Sequence, residues 1–127
     1  MSRSVLLQLA RDSIAEVLEA KRTINKVALL QKHPLLNEKI ATTVNLYLEN
    51  ELRGSCSSKT ASRSLLEDII INSKKSAFED KDFTPLRTSE YLSCEIELIL
   101  ITPDGILSAK DSPIINHKQD EINVLRN

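Results

Sequence analysis

Cys94-Glu95-Ile96-Glu97-Leu98-Ile99-Leu100-Ile101 is the stretch on which the fold turns. Its first half alternates charged and apolar residues, the period-two pattern of a strand with one wet face. Its second half, Leu98 to Ile101, is apolar without a break, which predicts burial on both faces there. Pro103-Asp104-Gly105 follows as a turn, and Ile106-Leu107 opens another strand. Upstream, Ile40 to Leu48 alternates in part. Val44, Leu46 and Leu48 fall on one side, and Thr43, Asn45 and Tyr47 on the other. Glu49-Asn50 supplies a turn, and Glu51 to Cys56 returns antiparallel as a hairpin, with Arg53 and Gly54 expected at its far end.

Around these strands the apolar period changes from two to three and four. Val5, Leu6, Leu9, Ala10, Ile14, Val17 and Leu18 form the stripe of an amphipathic helix ending near Arg22. Ser2 or Ser4 is its N-cap, and Arg11, Asp12, Glu16 and Glu19 lie off that stripe. Val27 to Leu30 reads either as a short strand or as a helical turn, and Pro34 ends it. After a polar loop, Ser57 to Arg63, the Ser64-x-x-Glu67 capping box starts a helix that runs to about Phe78. Ser73, Ser76 and Ala77 keep that helix narrow where it must approach something closely. Asp80 to Leu86 is an acidic, proline-containing loop, and Thr88 to Tyr91 forms one capped helical turn. Helix, hairpin, helix and strand in this order predict an α+β fold, an antiparallel sheet with helices packed on one side.

Length and composition bound the function. The 127 residues are expected to form one domain, with 114–127 as a polar tail. A chain of this size buries roughly two-thirds of its unfolded surface. Phe78, Phe83, Tyr47 and Tyr91 are its aromatics, so the core is aliphatic. A net charge of −1 and so few aromatics argue against a nucleic-acid partner. No run approaches the ~18 apolar residues of a membrane span, and the N-terminal apolar stretch is too short for a signal peptide. A cytoplasmic location follows, and Cys56 and Cys94 are expected as free thiols. Neither cysteine has ligand spacing, His33 and His117 lack partners at motif spacing, and the glycines, Gly54 and Gly105, build no phosphate loop. No metal or cofactor is implied.

With the elements placed, three stretches resemble the AMMECR domain family. Leu52-Arg53-Gly54-Ser55-Cys56-Ser57 is similar to the family's Leu-Arg-Gly-Cys-Ile-Gly hallmark. Asp80-Lys81-Asp82-Phe83-Thr84-Pro85, after the Ser64 helix, resembles its Asp-x-Arg-Phe-x-Pro loop. Glu90-Tyr91-Leu92, Glu95-Ile96-Glu97-Leu98 and Thr102-Pro103 track its strand. The resemblance runs from the first helix to about Leu107 and implies an AMMECR-like fold in a shortened member. Ser55 stands where the family has cysteine, and Cys56 follows one residue later. A shift of one residue along a strand reverses the face, so Cys56 does not inherit that position's role. Family members are generally of unknown biochemical activity. Bacterial relatives are often associated with a Memo-like protein and a radical-SAM protein, which the resemblance implies as partners.

Two functional readings follow. In the first, the chain is a protein-interaction or ligand-binding accessory module using Arg53, Gly54, Ser55, Asp80, Asp82 and Phe83. Arg53 offers a planar fork for a carboxylate or phosphate, and Gly54 permits close backbone approach. The structural alternative is that Gly54 marks a bulge and Arg53 pairs with a local acid such as Asp80 or Asp82. In the second, the chain is an enzyme or enzyme subunit acting on a small anionic or thiol substrate, with Cys56 as nucleophile. Glu95 and Glu97 are either an acid–base pair or the wet side of the sheet. Glu79, Asp80 and Asp82 are either a weak oxygen cluster or a solvated loop.

Overall fold

A computed structural model describes residues 4–114. The tail residues His117, Ile122, Val124 and Leu125, and the alternative cap Ser2, lie outside the described residues. Helix α1 (Val5–Glu19) begins at Ser4, whose side chain accepts a hydrogen bond from the Leu7 N–H. It ends at Ala20 in the left-handed region, where the cap N–H donates to the Glu16 and Val17 carbonyls. Val27 to Leu30 is helical: α2 (Lys26–Lys32) is capped by Asn25, and a 3-10 turn, Pro34–Asn37, follows it. Strands β1 (Ala41–Leu48) and β2 (Glu51–Ser57) are joined through Glu49 and Asn50, both at positive φ. That turn's twist matches the twist of the strands it joins.

Ser64 caps α3 (Leu65–Phe78) by accepting from the Glu67 N–H at 3.3 Å, and the Glu67 carboxylate accepts from Lys26 Nζ at 3.0 Å. Helix α4 (Thr88–Ser93) leads into β3 (Glu95–Thr102), which turns through Pro103-Asp104 into β4 (Gly105–Asp111). The four strands form one antiparallel sheet in the order β2-β1-β3-β4. Helices α1 and α3 pack together on the face bearing Val44, Leu46, Ile96, Leu98 and Leu100, all buried with Leu9, Ile14, Leu65, Leu66 and Ile69. Cys94 is buried in the same core.

Three expectations are corrected. Arg11, off the apolar stripe of an amphipathic helix, is nonetheless fully buried. Its guanidinium pairs with Asp111 at the end of β4 and donates to the carbonyls of Tyr91 (3.1 Å), Cys94 (2.6 Å) and Ser112 (3.0 Å). A buried charge is tolerated when a counter-ion and acceptors surround it in this way. Second, the run Leu98 to Ile101 keeps its alternation and is not buried on both faces. Ile99 is half-buried, and Ile101 is 46% exposed on the face turned away from α1 and α3. Third, Arg53 and Gly54 sit close behind the hairpin turn rather than at the far end. Gly54 pairs with Leu46 and Leu52 with Tyr47, which leaves Arg53 as the extra residue of a β-bulge.

Candidate interaction site

Strand β2 is held to α3 at a point that only glycine fits. A Cβ built on Gly54 would lie 2.1 Å from the Ser76 carbonyl oxygen and 3.1 Å from its carbon. The narrow face expected at Ser73, Ser76 and Ala77 meets its partner here.

The bulge turns Arg53 onto the acidic loop and α4 rather than into the sheet pattern. Its side chain is largely buried: Nε donates to Glu90 Oε2 at 2.9 Å and Nη2 to Glu90 Oε1 at 3.0 Å, a two-pronged pair. Nη2 also donates to the Thr84 carbonyl at 2.8 Å, and the guanidinium carbon lies 5.6 Å from the Phe83 ring centroid. The hydrogen bond from Arg53 holds the Glu90 carboxyl below the usual carboxylate range, against the opposing effect of burial. The acid paired with Arg53 is therefore Glu90, thirty-seven residues along the chain, rather than Asp80 or Asp82. Asp80 instead accepts from the Ser55 backbone N–H and from the Asp82 N–H, each at 2.9 Å, so it stitches the loop to β2. Asp82 itself is exposed. Arg53, Gly54, Ser55, Asp80 and Phe83 thus come together as one latch, and Asp82 stands at its rim.

Ser55 and Cys56 face opposite ways. Ser55 Oγ donates to Asn45 Oδ1 at 2.6 Å on the open face of the sheet. There Asn45 Nδ2 and Tyr47 Oη both donate to Glu97 Oε1 at 3.0 Å, and these bonds, Asn45 first, hold the Glu97 carboxyl low. Glu95 sits beside it, 3.7 Å from Lys110 Nζ, and that ammonium lies 5.3 Å from the Tyr47 ring centroid. Leu52, paired with Tyr47, adds a side chain 47% exposed to the same face.

Cys56 points to α3 and donates to Asn72 Oδ1 at 3.4 Å. Asn72 belongs to a buried network around Asp68, whose carboxylate accepts from the Thr42 N–H (2.8 Å), Thr42 Oγ1 (2.7 Å), Ser58 Oγ (2.7 Å) and Arg63 Nε (3.0 Å). Burial pushes the Cys56 thiol up, outweighing the nearby positive charges of Lys75 and Arg63. Among the described residues, its hydrogen-bond partner is the Asn72 amide oxygen, and none at that distance offers it a base. His33 is elsewhere, lining a cleft of about 640 Å³ between α1 and α2 with Leu9, Asp12, Ile24, Leu29 and Lys32. None of the latch residues lines that cleft. Among the described residues no group of His, Cys, Asp and Glu could hold a metal ion, and no helix is long and apolar enough to cross a membrane.

The sequence reading missed Glu90, Thr84, Asn45, Tyr47, Asp68 and Asn72. Asp68 and Asn72 carried a legible signal, since both share the helix face of Leu65, Ile69 and Ser76. The partners of Arg53 carried none, because bulge geometry aims that side chain.

A four-stranded antiparallel sheet with its main helices on one face, closed by an Arg-Gly bulge and a Phe-Thr-Pro loop, defines an α+β domain of AMMECR type. The chain belongs to the AMMECR1 family, whose family model matches residues 7–123. Among solved structures it is similar to the uncharacterized protein PH0010 from Pyrococcus horikoshii. The TM-score is 0.68 and the identity 30%, over 77% of this chain and 50% of that one. The matched region thus spans half the length of that relative. No curated protein matches the chain.

Proposed function

We propose that this AMMECR-family chain is an accessory module that binds a protein partner through the open sheet face beside Leu52-Arg53-Gly54 and the loop Asp80 to Leu86. The observation that carries this reading is how Arg53 is used. Its Nε and Nη2 donors are directed at Glu90 and Thr84, and Nη1, which has no partner among the described residues, is buried, so the side chain shapes a surface rather than offering a free two-pronged fork to a small anion. The surface beside it joins an exposed leucine, Leu52, to the polar group Asn45, Tyr47, Ser55 and Glu97. Interfaces combine an apolar contact with ordered polar groups in this manner. The family resemblance suggests a Memo-like or a radical-SAM protein as partner. The alternative, catalysis by Cys56, gains little support from a thiol raised by burial and bonded to an amide oxygen.

The test is a titration of the full chain against the Memo-like and radical-SAM proteins of its own source, with two variants. Leu52→Asp alters the surface and leaves the latch intact. Arg53→Ala releases the loop. Each is expected to weaken the complex at least tenfold. Unchanged affinity in both would remove this surface from the interaction.

A further inference from the structure

The two hairpins of the sheet turn differently. Strands β1 and β2 are joined through Glu49 and Asn50 at φ of 50° and 68°, the left-handed pair whose twist suits a two-residue hairpin. Strands β3 and β4 are joined through Pro103 and Asp104, with Thr102 paired to Gly105. Proline holds φ near about −65°, and Asp104 is not at positive φ. The twist that this turn does not supply is taken up one residue later, by Gly105 at φ 138°, a conformation that a side chain disfavours. Asp104 is exposed, and among the described residues no hydrogen bond or ion pair engages its carboxyl. The residue after it has no side chain, and nothing lies within 4 Å of where its Cβ would stand. Nowhere else in the sequence does an Asp or Asn precede a glycine. Asp80, in the other acidic loop, is tied to the Ser55 and Asp82 N–H groups and is followed by Lys81. Residues 115–127 continue from the opposite end of β4, about 20 Å along the strand from this turn.

We propose that Asp104-Gly105 is a site of spontaneous backbone isomerisation, in which the chain supplies both nucleophile and electrophile. The Gly105 nitrogen attacks the Asp104 side-chain carbonyl carbon. The new N–Cγ bond closes a five-membered succinimide, and the carboxyl hydroxyl leaves with the nitrogen's proton as water. Water then opens the ring. Cleavage of the N–Cγ bond restores aspartate. Cleavage of the bond from the nitrogen to the Asp104 main-chain carbonyl leaves the chain running through Cβ and Cγ, an isoaspartyl residue of unchanged mass. Glycine favours closure because no side chain crowds the ring. The product puts one more carbon into the main chain of a two-residue turn. Loop length sets the register of a hairpin, and here the register runs unbroken from Thr102 and Gly105 to Ile96 and Asp111. Its far end places Asp111 on the buried Arg11 guanidinium. A lengthened turn therefore loosens β4 from the turn inward, against the hold of the Arg11–Asp111 pair at the other end.

The experiment is incubation of the full chain at neutral pH and body temperature, with isoaspartate followed by chromatographic peptide mapping and mass spectrometry. A synthetic peptide of residues 102–108 gives the rate of the same sequence without the fold. The folded chain is expected to isomerise within tenfold of the peptide's rate. Asp104→Glu keeps the charge on an exposed residue and would need a six-membered ring. It should retain the wild-type circular dichroism spectrum and form at least tenfold less product. Asp104→Asn should react faster than wild type, releasing ammonia in place of water. In the separated isomer, the β4 amides bonded to β3 should exchange hydrogen at least tenfold faster than in the unmodified chain. A folded chain more than tenfold slower than the peptide would overturn the proposal, because the turn would then hold the reacting groups apart. So would product formed at the wild-type rate in Asp104→Glu, which would place the reaction elsewhere. Unchanged exchange in β4 of the isomer would overturn its effect on the register.

Discussion

Replacing Gly54 by alanine tests whether the Arg-Gly segment is chiefly a device for close packing. The alanine methyl would sit 2.1 Å from the Ser76 carbonyl oxygen, about 1.3 Å short of the 3.4 Å at which ordinary contact begins. The obstructing atom is helix backbone, so no rotamer change relieves it. Helix α3 must lift from β2, or β2 from its pairing with β1, and either opens gaps around Ile69, Ile70 and Leu46. Overpacking a core costs about 1–3 kcal/mol, and a clash against backbone places this substitution near about 3 kcal/mol. For a chain of this size that is a fall in Tm of about 10–15 °C. Urea unfolding followed by circular dichroism should show a lower midpoint at an unchanged slope. Gly105→Ala is the control: its φ of 138° disfavours a side chain, but nothing lies within 4 Å of the added Cβ. It should cost about 1–2 kcal/mol through backbone strain alone. A Gly54→Ala protein that unfolds within 3 °C of wild type, by rough conversion under about 1 kcal/mol, would refute the packing argument.

Arg53→Ala leaves the Glu90 carboxylate without its two-pronged partner and frees the Thr84 carbonyl; a loss of about 2–4 kcal/mol is expected, reduced by the partial access of Glu90 to water. A double-mutant cycle with Glu90→Gln should return a coupling above about 1 kcal/mol, and additive losses would dismiss the latch. The Glu90 and Glu97 carboxyls are both held low in the folded chain, so the unfolded chain takes up protons first as the solution is acidified. Their stabilisation is full above the unfolded value of about 4.3 and is lost as pH falls through the lower folded values. Glu97→Gln should therefore flatten the stability profile below about pH 4.3 and leave its slope near neutrality unchanged, as thermal melts across pH would record. The alkylation rate of Cys56, in a Cys94→Ser background, should show a midpoint above the reference of about 8.5; a midpoint well below it would make the nucleophile reading the leading one.

The fold was legible wherever its cause is local. The Ser64 cap, the stripe of α1 and the alternation of Ile40 to Leu48 each depend on residues within a few positions of one another. Val27 to Leu30 resisted assignment because a short apolar run suits strand and helix alike, and the deciding feature, the Asn25 cap on the Ala28 N–H, lies just outside it. Arg11 was misplaced for the opposite reason. Its position on the helix borders the apolar stripe, but the groups that neutralise it, Asp111 and the carbonyls of Tyr91, Cys94 and Ser112, arrive from the other end of the chain. The same holds for Arg53: the sequence named the residue and the kind of partner, an acid, but picked the acids nearest in the loop. Ile101 was expected to be covered on both sides because its neighbours are apolar. That reasoning identifies a surface fit for cover, and the described residues place no element on it.

The offset between Ser55 and Cys56 links the family hallmark to the functional reading. The bulge at Arg53 lies before both residues, so the alternation through Gly54, Ser55 and Cys56 is regular, with Gly54 and Cys56 facing α3 and Ser55 facing away. Ser55 occupies the place of the hallmark cysteine, and its hydroxyl joins Asn45, Tyr47 and Glu97 on the open face. A hydroxyl among an amide, a phenol and a carboxylate is a hydrogen-bonding surface: Asn45 and Tyr47 both donate to the Glu97 carboxylate, and the Ser55 hydroxyl donates to the Asn45 amide oxygen rather than to a base. The thiol that follows it, Cys56, is turned inward, where burial raises its pKa and it donates to the Asn72 amide oxygen. Each side chain is thus suited to the face it occupies, Cys56 to packing against α3 and Ser55 to the hydrogen-bonded open face of the sheet. That division separates the Leu-Arg-Gly motif into an internal latch and the surface the latch supports, the surface on which the proposed binding role rests.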